Sequence, residues 1–531
     1  MQIKGRGCFS AFQSFHAHSE LPHEVSRLLL FHKGYPLKEV HLSIVKLKGP
    51  RPGRFDSERL GSNSVLISTI GKEVFLFKEE GSYYLHAPFA RTCCRISPFL
   101  KQVLEKFDGR STVHDILAQF DLKEEAFFPA LRSLFEAEIL SDVESRGDPF
   151  SRNGKRPFIP VLTVHPQSAC NLQCQYCHSN APGHFKEKAL DISTYEKALE
   201  GFFADIFTTS ATASLYLHGG GEPTLDKNLF CKMVEIFEEK CRLNWIKPVI
   251  GITTNGAFHP SLRRFIIDHD IVCQFSLDGP EDVQNLQRPL LGNRKSYKTV
   301  IENIRALVKE GQRVKIRSTV TAYSLPRMVD TVELAAQEGI ESIHFEPLKM
   351  SERAISADLN APDPVSYNEQ FFNAFLLGNK LGIYIQGKGT CSLGVAKRFY
   401  CGACGINVVL TSRGNISACT EVQEESDPGS KLFLCGTLDP VTGRMNIAKD
   451  KMKYLAQRSV ENMRACDDCF IRYNCAGDCP LTAYVDFGSM YAVNEEWCQQ
   501  SRRTNRKVIA SLFEGDDWGF ITEEHVSFDL K

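Results

Sequence analysis

Nineteen cysteines occur in the 531-residue chain, and they are unevenly placed: three stand at Cys170, Cys174 and Cys177, and ten lie between Cys391 and Cys498. Thiols kept for core packing scatter along a sequence, whereas thiols that share a metal centre must come from short, neighbouring loops. Disulfides are the competing use, and they need an oxidising compartment. Residues 1–18 are polar and hold no apolar run of signal-peptide length, so a cytoplasmic protein with reduced thiols is expected. Metal ligation then accounts for the crowding. No stretch approaches the roughly 18 uninterrupted apolar residues of a membrane-spanning helix. A formal net charge of -1, with 24% charged residues, gives no global reason to expect a nucleic acid or a membrane as partner.

A chain of this length exceeds what one hydrophobic core organises, so several domains are expected. The first forty or so residues show no interpretable pattern. From Ser64, SVLIST, EVFLF and YYLHA alternate apolar and polar positions, separated by Gly71 and by Glu79-Glu80-Gly81, which predicts a small antiparallel meander. Three helices are predicted after it: over 99–107, from a capping box of Thr112 and Asp115, and over 122–140 with an apolar stripe through Phe128, Leu131, Leu134 and Phe135. Residues 148–160, rich in Arg, Lys, Gly and Pro, read as a linker. Beyond them VLTVH, SLYLH, VIGITTN, VCQFSLDG, KIRSTVT and SIHFEPL alternate with amphipathic stretches. These six βα units predict an α/β fold, a parallel sheet curled into a partial (β/α)6 TIM-like barrel with its functional residues at the carboxyl ends of the strands. After about Gly387 the sequence is turn-rich and cysteine-rich and needs staples. The expected division is 1–150 with a small module at about 64–141, a barrel over 155–386, a cysteine-rich domain over 387–500 and a tail over 501–531.

The trio Cys170-Asn-Leu-Gln-Cys174-Gln-Tyr-Cys177 directly follows the strand VLTVH and has no fourth local cysteine. A 4Fe-4S cluster held by three thiolates leaves one iron open to a further ligand. A zinc site closed by His178 is the other use of these residues. The spacing, with Tyr176 before the last cysteine, resembles the signature of the radical S-adenosylmethionine superfamily, and the resemblance extends to His218-Gly219-Gly220-Gly221-Glu222-Pro223 at the end of the second strand. It implies that Tyr176, Gly220, Gly221, Glu222 and Ser276 contact S-adenosylmethionine, with Glu222 facing the methionyl ammonium. Thr253-Thr254-Asn255-Gly256 and Ser276-Leu277-Asp278-Gly279 end the third and fourth strands, where small polar side chains suit a ribose or carboxylate. Arg317 and Ser318 are further candidates, a solvated arginine being the alternative. The implied chemistry is one-electron cleavage of the sulfonium to methionine and a 5'-deoxyadenosyl radical that abstracts a substrate hydrogen, with a reductant such as flavodoxin or ferredoxin. No catalytic acid or base is identified.

The C-terminal cysteines are Cys404, Cys419, Cys466-x2-Cys469-x5-Cys475-x3-Cys479 and Cys498. This array resembles the SPASM extension of peptide and protein maturases, whose full form houses two auxiliary 4Fe-4S clusters. By that resemblance Cys404, Cys419 and Cys479 hold one cluster, and Cys466, Cys469, Cys475 and Cys498 the other, making three clusters with the one at the trio. The eighth ligand is expected to be Cys401, with Cys391 as the alternative, since Arg398 stands near the place of an upstream cysteine in some relatives. A pair of zinc knuckles is the competing use of the Cys-x2-Cys spacing. Cys8, Cys93, Cys94, Cys231, Cys241, Cys273 and Cys435 fit no motif.

The module at 64–141 resembles, by its pattern of strands and helices, the winged-helix precursor-peptide recognition element of ribosomal peptide-modifying systems. That implies a leader peptide adding as a strand to an exposed sheet edge; a packing or dimerisation domain is the alternative. The expected function is a maturase that forms a crosslink, such as a thioether or carbon-carbon bond, or otherwise alters residues of a ribosomally synthesised peptide. Two other functions compete: maturation of an enzyme's own Cys or Ser, as sulfatase maturases perform, and a non-catalytic iron-sulfur binding or regulatory role, against which the intact trio and Glu222 argue.

Overall fold

A computed structural model describes residues 40–47, 60–71, 73–142, 150, 161–179, 188–206, 211–390, 392–439, 441–514 and 522–530, with backbone alone for 40–41, 47, 205–206 and 522–530. Residues 1–39, Cys391 and, apart from Phe150, the expected linker at 148–160 lie outside the described residues. The chain forms two compact units, one of Met1–Lys155 with Leu393–Ala396 and Arg506–Lys531, the other of Arg156–Ser392 with Lys397–Asn505.

In the first unit the strands are β1 (Val40–Leu47), β2 (Val65–Ser68), β3 (Phe75–Glu79), β4 (Ser82–Ala87), β5 (Thr92–Ile96), β6 (Asp108–Thr112), β7 (Leu140–Ser141) and β19 (Thr522–Leu530). Glu80 and Gly81 both take positive φ, the backbone of a tight turn whose twist matches the strands it joins, so β3 and β4 form a two-residue hairpin. The expected meander is only partly realised. SVLIST leaves it: β2 pairs instead with β6 and β7 in a separate three-stranded sheet. Its place is taken by strands distant in sequence, giving a five-stranded antiparallel sheet in the order β19-β1-β5-β4-β3. The three expected helices form as Pro98–Leu104, Val113–Gln119 and Glu124–Glu136, and the second carries the Thr112–Asp115 capping box. Phe127, Leu131 and Leu134 of the third helix pack into one core with Leu42, Ile44, Leu85 and Leu100.

The second unit contains seven consecutive parallel strands, β8 (Val161–Val164), β9 (Thr212–Leu217), β10 (Lys247–Thr254), β11 (Val272–Ser276), β12 (Val314–Val320), β13 (Ser342–Pro347) and β14 (Tyr384–Gly387). Six are those expected; β14 is a short seventh. Helices such as Lys227–Leu243 and Tyr297–Lys309 bury one face each against the sheet, through Phe230, Val234 and Phe237 in the first and Val300, Ile304 and Leu307 in the second. On the far side of β8, β15 (Val408–Leu410) pairs parallel with it, and β16 (Asn415–Ser417), β17 (Leu434–Leu438) and β18 (Met445–Ile447) continue as an antiparallel meander. The cysteine-rich segment is thus an extension of the barrel sheet, which reaches eleven strands. No helix among the described residues is long and apolar enough to cross a membrane.

Asn303, fully buried on its helix, ties the turn after β10 in place: its amide donates to the carbonyls of Gly256 at 2.8 Å and Phe258 at 3.0 Å and accepts from Arg263 at 2.7 Å. Asn303→Ala leaves two buried carbonyls and a guanidinium without this partner, so a loss of roughly 1–3 kcal/mol is expected. Denaturant unfolding measures it, and an unchanged midpoint contradicts the role.

Candidate active site

The loop that carries the trio has no regular structure of its own and is held by a strap that follows helix Glu281–Gln287. Gln175 N–H donates to the Gln287 carbonyl at 2.9 Å, Gln173 N–H to that of Pro289 at 2.9 Å, and Leu291 N–H to that of Asn171 at 3.0 Å. Asn255, at the end of β10, donates to the Asn171 side chain at 2.8 Å and to Cys170 Sγ at 3.6 Å. Arg288 donates to Cys174 Sγ at 3.7 Å. Its guanidinium is fixed by the buried carboxylate of Asp278 at 3.0 Å and lies 5.2 Å from the centre of the Tyr176 ring.

Burial pushes the Cys170 thiol far above its ordinary range, with the charges of Cys174, Glu222 and Cys177 adding to the effect. It pushes Cys174 up to about 11 against the opposing field of Arg288. Three thiols that sense one another in a desolvated site become thiolates when a metal cation draws off their protons. Burial lowers the pKa of His178, the fourth ligand that a zinc site would need, and the charges of Glu421, Lys349 and Arg317 act on it. Among the described residues no three His, Cys, Asp or Glu side chains are gathered for a single ion, for which zinc to sulfur distances near 2.3 Å are required. Three cysteines on one loop are the donor set that a 4Fe-4S cluster with one open iron requires.

The glycine run is required by contact. A Cβ on Gly221 would lie 1.9 Å from the Ala169 carbonyl oxygen, and one on Gly220 would lie 2.0 Å from the Gln423 side chain. The backbone of the run thus lies directly against the root of the cysteine loop, where Glu222 N–H donates to the Ala169 carbonyl at 2.8 Å. Glu222 is 2% exposed. Its Oε1 accepts from Thr254 Oγ1 at 2.7 Å and from Thr224, while Oε2 accepts the Asn255 amide at 2.7 Å. Burial raises its pKa and these hydrogen bonds pull it back. The remaining acceptor capacity is on Oε2.

Of the other residues singled out in the sequence, Ser276 ends β11 half-buried. Tyr176 gives its hydroxyl to Asp278, which also accepts from Gln287 at 2.7 Å and the Thr319 amide at 3.0 Å. Ser318 is buried and donates to the Asp278 carbonyl at 2.9 Å. Arg317 pairs with Glu346 at 3.5 Å. Sequence reasoning missed Gln287 and Arg288, whose only signal is a proline after a short helix. It also missed a run of paired charges that leads from His178 toward Cys479: Lys349 to Glu421 at 2.9 Å, and Lys388 to Asp478 at 3.2 Å. Burial would raise Glu421, but His178, Lys349 and Arg317 hold it at about 2. Burial lowers His165 to about 3 and His218 to about 4, so both rings are neutral at pH 7.

The C-terminal cysteines fall into two groups. Cys401 lies in the field of Cys404 and Cys479, and Cys419 in that of Cys479 and Cys401. Cys466, Cys469, Cys475 and Cys498 line one pocket with Lys388, Asp478, Trp497 and Arg502. Arg398 pairs with Glu461 at 3.1 Å.

Residues 164–344 match the radical SAM superfamily. The chain carries a radical SAM domain and is an enzyme. It is 23% identical over 281 residues to the cysteine-type anaerobic sulfatase-maturating enzyme of Clostridium perfringens, covering 50% of this chain and 74% of that protein. It is 23% identical over 334 residues to the serine-type anaerobic sulfatase-maturating enzyme of Klebsiella aerogenes, covering 59% and 77%. The solved structure of native anSMEcpe with bound AdoMet and Cp18Cys peptide superposes with a TM-score of 0.52 at 17% identity, over 67% of this chain and 98% of that one. The radical SAM domain implies S-adenosylmethionine and a 4Fe-4S cluster as cofactors.

Replacing the Glu222 charge tests the cofactor contact. Glu222→Gln is expected to weaken S-adenosylmethionine binding by about tenfold, on the order of 1 kcal/mol, with the iron content unchanged. Titration calorimetry on the reconstituted enzyme reads this, and unchanged affinity moves the ammonium contact to another residue.

Proposed function

We propose that this enzyme is a maturase that modifies, and specifically crosslinks, residues of a ribosomally synthesised polypeptide. The observation that carries this reading is the addition of two four-cysteine groups to a radical SAM barrel, in a fold that matches a peptide-bound maturase over nearly all of that protein's length. Cys170, Cys174 and Cys177 would hold the cluster that binds S-adenosylmethionine. Cys401, Cys404, Cys419 and Cys479 would hold a second cluster, and Cys466, Cys469, Cys475 and Cys498 a third.

When bound, the trio's cluster and S-adenosylmethionine supply one-electron cleavage of the sulfonium to a hydrogen-abstracting radical. A flavodoxin or ferredoxin is the expected electron source. The chain's own residues bind and orient. The backbone at Gly220 and Gly221, the Oε2 of Glu222 and the hydroxyl of Ser276 would hold the cofactor, and Tyr176, locked by Asp278, would wall its site. The pairs Glu421–Lys349 and Asp478–Lys388 each balance their own charge.

The superposition leaves about a third of this chain unmatched, a share close to that of the first unit. Within that unit β3 is a terminal strand of its sheet, and a terminal strand offers unpaired backbone groups to an extended peptide. This favours capture of a leader segment over leader-free maturation of an enzyme's Cys or Ser, the reading that the names of the relatives favour.

The test is anaerobic turnover of the full-length enzyme, with S-adenosylmethionine and reductant, on any small polypeptide found encoded beside its gene, with and without its N-terminal segment. Loss of hydrogen from the polypeptide that requires that segment is expected, accompanied by 5'-deoxyadenosine. Segment-independent oxidation of a Cys or Ser peptide supports the sulfatase-type reading, and 5'-deoxyadenosine without change in any polypeptide contradicts both.

A further inference from the structure

Arg458 is among the largest fully buried side chains, 1% exposed. A buried guanidinium needs a counter-charge, because carbonyl dipoles replace its hydration but leave its charge uncompensated. Among the described residues it forms no ion pair with a carboxylate. Its Nε donates to the Met490 carbonyl at 2.5 Å, and its terminal nitrogens donate to Gly477 at 2.5 Å and Ala476 at 3.5 Å. The last two residues lie in the short link between Cys475 of one cysteine group and Cys479 of the other. Both take positive φ, and a Cβ on Gly477 would lie 2.2 Å from Met463 Sδ, so the link turns tightly around the guanidinium.

The guanidinium is thus held by the segment that joins the two groups: Cys475 directly precedes Ala476, and Cys479 follows Gly477 by two residues. We infer that Arg458 is the shared counter-cation of the two auxiliary clusters. Four thiolates around each cluster supply the negative charge that the protein around Arg458 lacks. A fixed positive charge beside a cluster favours its reduced form, so Arg458 raises both reduction potentials together. This inference rests on the assignment of the two cysteine groups to clusters.

The experiment uses the full chain carrying Cys170→Ala, Cys174→Ala and Cys177→Ala, so that only the auxiliary centres remain, reconstituted anaerobically and titrated redox-potentiometrically with electron paramagnetic resonance. Absence of auxiliary iron in this parent overturns the cluster assignment itself. Given two loaded clusters, Arg458→Gln is expected to move both midpoint potentials to more negative values, whereas Arg458→Lys, which keeps the charge, holds both near the parent's. Unchanged potentials in Arg458→Gln, or a shift in one cluster alone, overturns the shared role. Should Arg458→Gln fail to load, Arg458→Lys decides: full loading supports the charge, and the same failure shows that the forked donor geometry, not the charge, is what the fold requires.

Discussion

A buried thiol holds its proton more firmly than one in water, and the rest of this structure depends on how that cost is met. Cys170, Cys174 and Cys419 are all displaced upward by burial, and Cys466 and Cys498 reach about 12. Left as thiols they are inert packing. Bound to iron they become thiolates, and each site must then accommodate negative charge inside the protein. The cations stand where this demands: Arg288 against Cys174, Arg502 against Cys469, and Arg458 between the two C-terminal groups. Each is anchored by groups other than the thiols, Arg288 by Asp278 and Arg458 by three carbonyls, so the positive charge is in place before any ligand binds.

The scaffold turns this local chemistry into an arrangement. Parallel strands place the cysteine loop, the glycine run and the turn after β10 at adjacent strand ends, and the strap after helix Glu281–Gln287 converts an irregular loop into a fixed one. Because β15 pairs with β8, the extension that carries the remaining cysteines is in register with the strand that leads to the trio. Paired charges then join the two regions through His178, Glu421 and Lys349.

What could be read in the sequence was what is local. The trio declares itself by spacing, the barrel strands by short apolar-rich runs that alternate with amphipathic stretches, and the second helix of the first unit by its capping box. What could not be read was what depends on distant partners. β14 is four residues ending in glycine, and β15, β16 and β18 are three residues each, too short to show a period. β1 finds β19 across nearly the whole chain, and β2 leaves the expected meander to pair with β6 and β7, which lie farther along the chain than β3. Arg288 and Arg458 look like any solvent-facing arginine until the fold buries them; Arg288 lies 114 positions from the sulfur it meets.

The central claim is that the crowded cysteines hold iron-sulfur clusters at three separate sites. Iron, acid-labile sulfide and zinc counted per chain in one anaerobically reconstituted, desalted sample test it most directly. The account predicts about twelve irons with matching sulfide, and stoichiometric zinc with little iron contradicts it.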